Sequence, residues 1–103
     1  MKKLVSAVMV TVAVMASGVA VAGDAAAGKA KSATCAGCHG PEGVSSNPLW
    51  PNLAGQKEAY LAKQIKAFRD GTRTDPMMSP MAKPLTDDDI ANLAAYFTSL
   101  GAK

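Results

Sequence analysis

Apolar positions recur at helical spacing in two long segments of the chain. From Lys57 to Asp70, one helix face would carry Tyr60, Leu61, Gln64, Ile65 and Phe68. Near the C-terminus the same steps of three and four residues connect Ile90, Leu93, Ala94, Phe97 and Leu100. Thr86 and Asp89 form a capping box before the second pattern, and Gly71 and Gly101 stand where the two helices would end. The chain is predicted to be all-α, because no segment alternates as a strand would.

A third, shorter helix is predicted to begin after Asp24 and to run up to or into Cys35. Asp24 is a favoured N-cap residue, and three alanines follow it. Gly28 weakens such a helix by about 1 kcal/mol relative to alanine. We therefore expect Gly28 to permit the close approach of another helix, for which Ala94 and Ala95 offer a smooth surface.

Two long segments between these helices show no regular pattern. Residues 40–56 are rich in glycine, proline, serine and asparagine. Residues 72–85 contain Pro76, Pro80 and Pro84, which are expected to prevent helix and sheet alike. Irregular connections of this length are unusual in a small domain. They are expected to wrap around a bound group.

The first 22 residues have the parts of a secretory signal peptide. Lys2 and Lys3 precede an apolar run from Leu4 to Val21, and Ala20-Val21-Ala22 matches an A-x-A cleavage site. We predict a signal peptide at 1–22, a single domain at 23–103 and a periplasmic location. The alternative is an uncleaved anchor, since 18 residues approach the length that spans a bilayer.

The segment that would remain after cleavage is small and nearly neutral. Its 81 residues carry nine basic and eight acidic side chains, so its net charge is +1, against +3 for the whole chain. This balance does not indicate a nucleic-acid binder, which would carry a clustered basic patch. Only five aromatic residues are present. A domain of this size commonly needs a disulfide, metal or cofactor to complete its core.

The only cysteines and the only histidine of the chain stand together as Cys35-Ala36-Gly37-Cys38-His39. C-x-x-C-H is the pattern of c-type haem attachment. Two thiols at this spacing can each form a thioether with one porphyrin, and the next histidine can bind the iron. A redox dithiol would require a βαβ context, which is not seen, and a closed zinc site would require a fourth ligand.

Methionine supplies the other candidate iron ligand. Met77, Met78 and Met81 lie in a proline-rich segment with no helical face to fill, so a thioether ligand explains them better than core packing. Trp50 and Leu53 are candidate pocket residues in the first irregular segment. Packing under the loop would explain these two equally well.

In this order, the elements resemble a class I cytochrome c, and the similarity extends over residues 24–100. It is closest to small soluble bacterial monohaem cytochromes and to one haem domain of the periplasmic dihaem cytochromes. The phrases that carry it are Pro51-Asn52-Leu53-Ala54-Gly55-Gln56, Tyr60-Leu61 with Gln64, Met77-Met78 and Leu93-Ala94-Ala95-Tyr96. The resemblance implies three main helices and irregular loops around one covalent haem.

The resemblance also implies a role for individual residues. Cys35 and Cys38 would carry the thioethers, and His39 would bind iron through Nε2. The carbonyl of Pro51 would accept a hydrogen bond from the other ring nitrogen of this histidine. Met78 is expected to be the sixth ligand, with Met81 as second choice and Met77 as third.

The expected function is one-electron transfer without catalysis, because two axial ligands leave the iron with no open position for a substrate. Haem c and its iron are the implied cofactors. Periplasmic or membrane redox proteins would be transient partners, as donor reductases and as acceptor oxidases or reductases of a respiratory chain. The alternatives are a haem-bearing subunit of a membrane oxidoreductase and, ranked below it, a haem gas sensor or peroxidase.

Overall fold

The computed structural model describes residues 23–101, and all regular structure in that range is helical. The predicted signal peptide at 1–22 lies outside the described residues. Five α-helices follow one another: α1 (Ala25–Lys31), α2 (Ala36–His39), α3 (Glu58–Asp70), α4 (Met78–Ala82) and α5 (Asp87–Ser99). A 3₁₀ turn, Ser32–Thr34, connects α1 to α2. Within residues 23–101, no helix has both the length and the apolar character needed to cross a bilayer.

Three predicted helix ends are confirmed, at Asp24, Gly71 and Thr86. The first helix is predicted to reach Cys35, but its α-helical part ends at Lys31 and the 3₁₀ turn continues it. The carboxylate of Asp24 accepts the backbone N–H groups of Ala26 and Ala27, which caps α1. Thr86 and Asp89 form the reciprocal bonds of a capping box at α5. Gly71 ends α3 with a φ of 89°, a left-handed conformation that glycine adopts without a steric penalty.

Helix α5 lies at the centre of the fold, with α1 and α3 packed against it. Its side chains Ile90, Leu93, Ala94 and Phe97 are almost completely buried, as its periodicity predicts. Helix α3 contributes Leu61 and Phe68 to buried positions. Tyr60 does not belong to the buried face, since it is 51% exposed beside the N-terminus of α3, so that part of the predicted face is wrong.

Gly28 is where α1 meets α5. A Cβ atom built on Gly28 would lie 1.9 Å from the carbonyl oxygen of Asn92 and 2.8 Å from the Cβ of Tyr96. The expected close helix contact is therefore confirmed. It is made by Asn92 and Tyr96, not by the smooth surface expected at Ala94 and Ala95.

The segment at 72–85 contains α4, so the expectation that its prolines exclude helix is wrong there. Pro80 is the third residue of α4. In the first turn of a helix the backbone N–H has no intrahelical partner, so proline removes no hydrogen bond at that position.

The irregular segment at 40–56 is closed by bonds to one carbonyl. The oxygen of Gly43 accepts the N–H groups of Leu53 at 2.8 Å and of Ala54 at 3.1 Å. Gly55 then donates its N–H to the carbonyl of Phe97 at 3.0 Å. The loop is thus anchored to α5, which brings its second half back to the end of α2.

Replacing Gly28 with alanine is expected to lower the free energy of unfolding by about 3 kcal/mol or more, because the new methyl group would overlap the backbone of α5. Denaturant unfolding measures the change. Gly37→Ala is the matched control, since a Cβ there meets no atom within 4 Å, and it should change stability by no more than about 1 kcal/mol. Equal effects of the two substitutions would contradict this account of the helix contact.

Asp89 should make stability depend on pH. The backbone N–H of Thr86, followed by the Thr86 hydroxyl and Lys31, holds the pKa of Asp89 below its usual range despite partial desolvation. A carboxyl group with a lowered pKa in the folded state stabilises the fold above its unfolded pKa of about 4, and this contribution disappears as the pH falls through the folded value. Asp89→Asn should therefore destabilise the protein at pH 7, and the difference from the wild type should shrink in acid. Asp88→Asn, which changes the same charge in the same turn, should show the smaller effect at pH 7.

Candidate functional site

His39 is held in one orientation by the loop that follows it. Its side chain is buried, and its Nδ1 lies 2.8 Å from the carbonyl oxygen of Pro51. A carbonyl can only accept, so Nδ1 carries the proton and Nε2 keeps its lone pair. Nε2 is therefore the nitrogen able to bind a metal ion.

An apolar cavity of about 280 Å³ lies beside His39, between α2, α3, α4 and α5. Cys35 and Cys38 contribute to one part of its wall, and Met77, Met78 and Met81 contribute to another. The remaining lining is Thr34, His39, Leu53, Ile65, Pro80, Ala82, Leu85, Leu93 and Phe97. Apart from His39 and the Thr34 hydroxyl, the cavity offers no side-chain nitrogen or oxygen to a bound group.

A second cavity, of about 350 Å³, adjoins the first and is more polar. The two have four residues in common, namely Cys38, His39, Met77 and Met78. The second is completed by Leu49, Trp50, Pro51, Phe68, Arg73, Asp75 and Pro76. A flat group that extended through both would have an apolar part and a polar edge.

The structure brings together every residue proposed from the sequence as a thioether, iron ligand or pocket residue. Leu53 lies in the first cavity, while Trp50 and Pro51 lie in the second. Met78 borders both cavities, whereas Met81 borders only the first. Met77 also borders both, so contact with the cavities does not by itself choose between Met77 and Met78.

The environment of Cys35 differs from that of a reactive dithiol. Burial raises the pKa of the Cys35 thiol, and the nearby Cys38 adds to the rise, although the Thr34 hydroxyl at 3.9 Å opposes it. Redox-active C-x-x-C pairs instead have a thiol whose pKa is lowered. The Cys35 thiol therefore lacks the lowered pKa that thiol–disulfide exchange uses.

The residues of both cavities fit a covalently attached haem. A c-type haem is attached through two cysteine thiols, and in cytochromes c its iron is bound by an imidazole nitrogen and a methionine sulfur. Cys38, His39, Met77 and Met78 lie at the boundary of the two cavities, and Cys35 lines the first. The apolar cavity suits a porphyrin face, and Arg73 in the second suits an anionic edge. Cys35 and Cys38 would hold the group, with His39 and one methionine on its iron.

A family model described as cytochrome c matches residues 25–101, which include every residue of both cavities. The chain belongs to the cytochrome c family. This match extends over all five helices, so the family assignment concerns the whole described fold. The predicted class I cytochrome c fold is confirmed.

Individual relatives agree with this assignment. Cytochrome c-554(548) of Halomonas halodenitrificans is 52% identical over 81 residues, which are 76% of this chain and 98% of that protein. Cytochrome c4 of Pseudomonas aeruginosa is 47% identical over 100 residues, which are 96% of this chain and 49% of that protein. The crystal structure of reduced cytochrome c4 from Pseudomonas stutzeri aligns with a TM-score of 0.72 at 44% identity, over 76% of this chain and 46% of that one. The chain thus spans nearly all of the first relative and about half of each cytochrome c4.

The cofactor of this cytochrome c domain is one covalently attached haem c with its iron. The domain is a haem-based electron carrier and not an enzyme. A further relative, from Stutzerimonas stutzeri, is named thiosulfate dehydrogenase electron acceptor and is 42% identical over 72 residues, or 67% of this chain and 33% of that protein. The electron-transfer partners of such a domain are other redox proteins.

Arg73 and Asp75 are site residues that the sequence reading missed. The guanidinium of Arg73 lies 4.5 Å from the centre of the Phe68 ring and donates to Oε1 of Gln64 at 2.7 Å. Asp75 accepts hydrogen bonds from the backbone of Met77 and Met78, which hold its pKa below the usual range despite partial desolvation. An aspartate directly before a proline is a turn signal that could have revealed Asp75. The role of Arg73 depends on contacts that have no local signature.

Proposed function

We propose that the protein is a periplasmic one-electron carrier whose haem iron is bound by His39 and Met78. In this proposal residues 1–22 are a cleaved signal peptide, and residues 23–103 form the haem domain. Cys35 and Cys38 carry the thioethers, and Trp50, Pro51 and Leu53 belong to the haem pocket. The carrier moves electrons between respiratory donors and acceptors that it meets transiently.

One observation carries the proposal, namely that Cys38, His39, Met77 and Met78 all lie at the boundary of the two cavities. The first two come from the motif on α2, and the last two come from the start of α4, almost forty residues later in the chain. Thiol, imidazole and thioether donors are thereby gathered around a single space. Met78 is favoured as the ligand because it is more buried than Met77 and Met81, which are 52% and 47% exposed.

In this proposal the chain leaves the iron no free coordination position and surrounds it with apolar side chains. His39 and Met78 would fill both axial positions, so no substrate could bind at the metal. The bound haem supplies a one-electron couple between ferric and ferrous iron. A thioether ligand and an apolar lining both favour the ferrous form, so they should raise the reduction potential.

Electron-transfer partners are expected to dock weakly and briefly, since such interfaces are small. Two apolar side chains beside the cavities support contact at this face, namely Leu49, which is 83% exposed, and Met77. The net charge of +1 for residues 23–103 indicates little long-range attraction to a charged partner. We therefore expect that apolar contact around the haem edge dominates recognition.

Replacing Met78 with alanine tests the axial assignment. The exported wild-type protein should contain one covalent haem and show a far-red sulfur-to-iron band when oxidised, and it should not bind carbon monoxide when reduced. Met78→Ala should lose the band and bind carbon monoxide, because the sixth position becomes open. Absorption spectra of both oxidation states measure these changes.

Met77→Ala and Met81→Ala are the matched controls and should keep the band. If Met81→Ala alone loses it, the sixth ligand is Met81 and the assignment to Met78 is wrong. A wild-type protein that binds carbon monoxide would instead favour the sensor or peroxidase alternative.

The mass of the exported protein tests whether residues 1–22 are removed and whether one haem is attached. Export to the periplasm followed by cleavage after Ala22 should give a chain that begins at Gly23 and carries the added mass of one haem. Intact-mass spectrometry of the periplasmic fraction measures both quantities. A chain that keeps residues 1–22 and sediments with membranes would favour a fixed subunit of a membrane oxidoreductase.

A further inference from the structure

The first turn of α4 is closed by four hydrogen bonds to one residue. Oδ2 of Asp75 accepts the backbone N–H groups of Met77 at 2.9 Å and of Met78 at 2.8 Å. The backbone N–H of Asp75 donates to the hydroxyl of Ser79 at 3.0 Å, and the N–H of Ser79 donates to the carbonyl of Asp75 at 3.0 Å. Asp75 is therefore bonded to each of the three residues at 77–79.

These bonds matter because α4 has little stability of its own. The helix contains five residues, and an isolated helix of that length does not form in water. Its start is held by Asp75. At its far end, the carbonyl of Ala82 accepts the N–H of Leu85 at 3.0 Å, and the carbonyl of Leu85 accepts Nη1 of Arg69 at 3.2 Å.

The rotation of this turn decides which methionine faces inward. Successive residues of a helix point about 100° apart around its axis, so Met77 and Met78 cannot both face the same point. All three methionines contact the first cavity, but Met77 and Met81 are exposed and Met78 is more buried than either. A rotation of the turn by roughly 60° to 100° would exchange Met78 for one of its neighbours. Two N–H groups bound to a single carboxylate oxygen fix the backbone of this turn relative to Asp75.

We propose that Asp75 selects Met78, over Met77 and Met81, as the methionine that reaches the iron. Asp75 acts as a positioning residue through the backbone and does not itself touch the metal. Ser79 assists by accepting the N–H of Asp75. This inference rests on the proposed function, in which a methionine is the sixth ligand.

The test compares Asp75→Ala with Asp75→Asn in the haem-loaded protein. Asp75→Ala removes the acceptor of both bonds, whereas Asp75→Asn keeps one side-chain oxygen in the same place. Proton NMR of the reduced protein reports the identity of the ligand, since the methyl group of the bound methionine is shifted strongly by the porphyrin. Imidazole titration of the oxidised protein reports how firmly the ligand is held.

Asp75→Ala should show more than one shifted methionine methyl signal, and the additional signals should disappear when Met77→Ala or Met81→Ala is added. Its affinity for imidazole should rise by about ten- to a hundredfold, which corresponds to the loss of hydrogen bonds to a charged acceptor. Asp75→Asn should keep the single wild-type signal and stay within a few-fold of wild-type affinity. Asp88→Asn and Asp88→Ala, at an exposed site of α5, should match the wild type.

A single methyl signal from Met78 in Asp75→Ala, together with unchanged imidazole affinity, would overturn the proposal. If Asp75→Ala yields no haem protein, Ser79→Ala decides in its place. It should raise the affinity for imidazole in the same direction by a smaller factor, and an unchanged affinity would count against Asp75. Failure of the underlying function is separate, because a wild-type protein without any shifted methionine methyl signal would show that no methionine binds the iron, whatever the Asp75 variants do.

Discussion

The contact between Gly28 and the backbone of Asn92 is the interaction on which the rest of the structure depends. It allows the backbone of α1 to approach the backbone of α5 closely at Gly28. Helix α1 continues through a 3₁₀ turn into α2, so its position also determines where Cys35, Cys38 and His39 lie. Helix α5 contributes Leu93 and Phe97 to the wall of the first cavity. One close backbone approach therefore places the attachment motif against the wall of the haem pocket.

The two segments between the main helices are ordered in part by hydrogen bonds that involve the backbone. The carbonyl of Gly43 accepts two backbone N–H groups from the second half of the 40–56 loop. The hydrogen bond from His39 to the carbonyl of Pro51 connects that loop to the attachment motif. Asp75 plays the corresponding part at the start of the methionine segment. Together the two segments line both cavities, the first with Leu53, Trp50 and Pro51 and the second with its methionines.

Ion pairs support the same arrangement at the edge of the site. Arg69 contacts Asp87 at 2.8 Å and the carbonyl of Leu85, so α3 is connected both to the start of α5 and to the end of the methionine segment. Exposed pairs of this kind contribute little to stability on their own. Their value here is geometric, since they fix the direction in which the chain leaves the cavity.

The sequence by itself determined the three main helices, the attachment motif and the cofactor class, because periodicity, capping residues and C-x-x-C-H spacing are local patterns. It also indicated the helix contact at Gly28, though not its partner Asn92. Tertiary structure alone decided the short helix around Pro80, the exposure of Tyr60, and the places of Arg73 and Asp75 beside the cavities. It also distinguished Met78, by burial, from two neighbours of the same residue type. Apart from the turn signal at Asp75, no local pattern records these features, because they depend on residues that are distant in the chain and become neighbours only when α1, α3 and α5 pack.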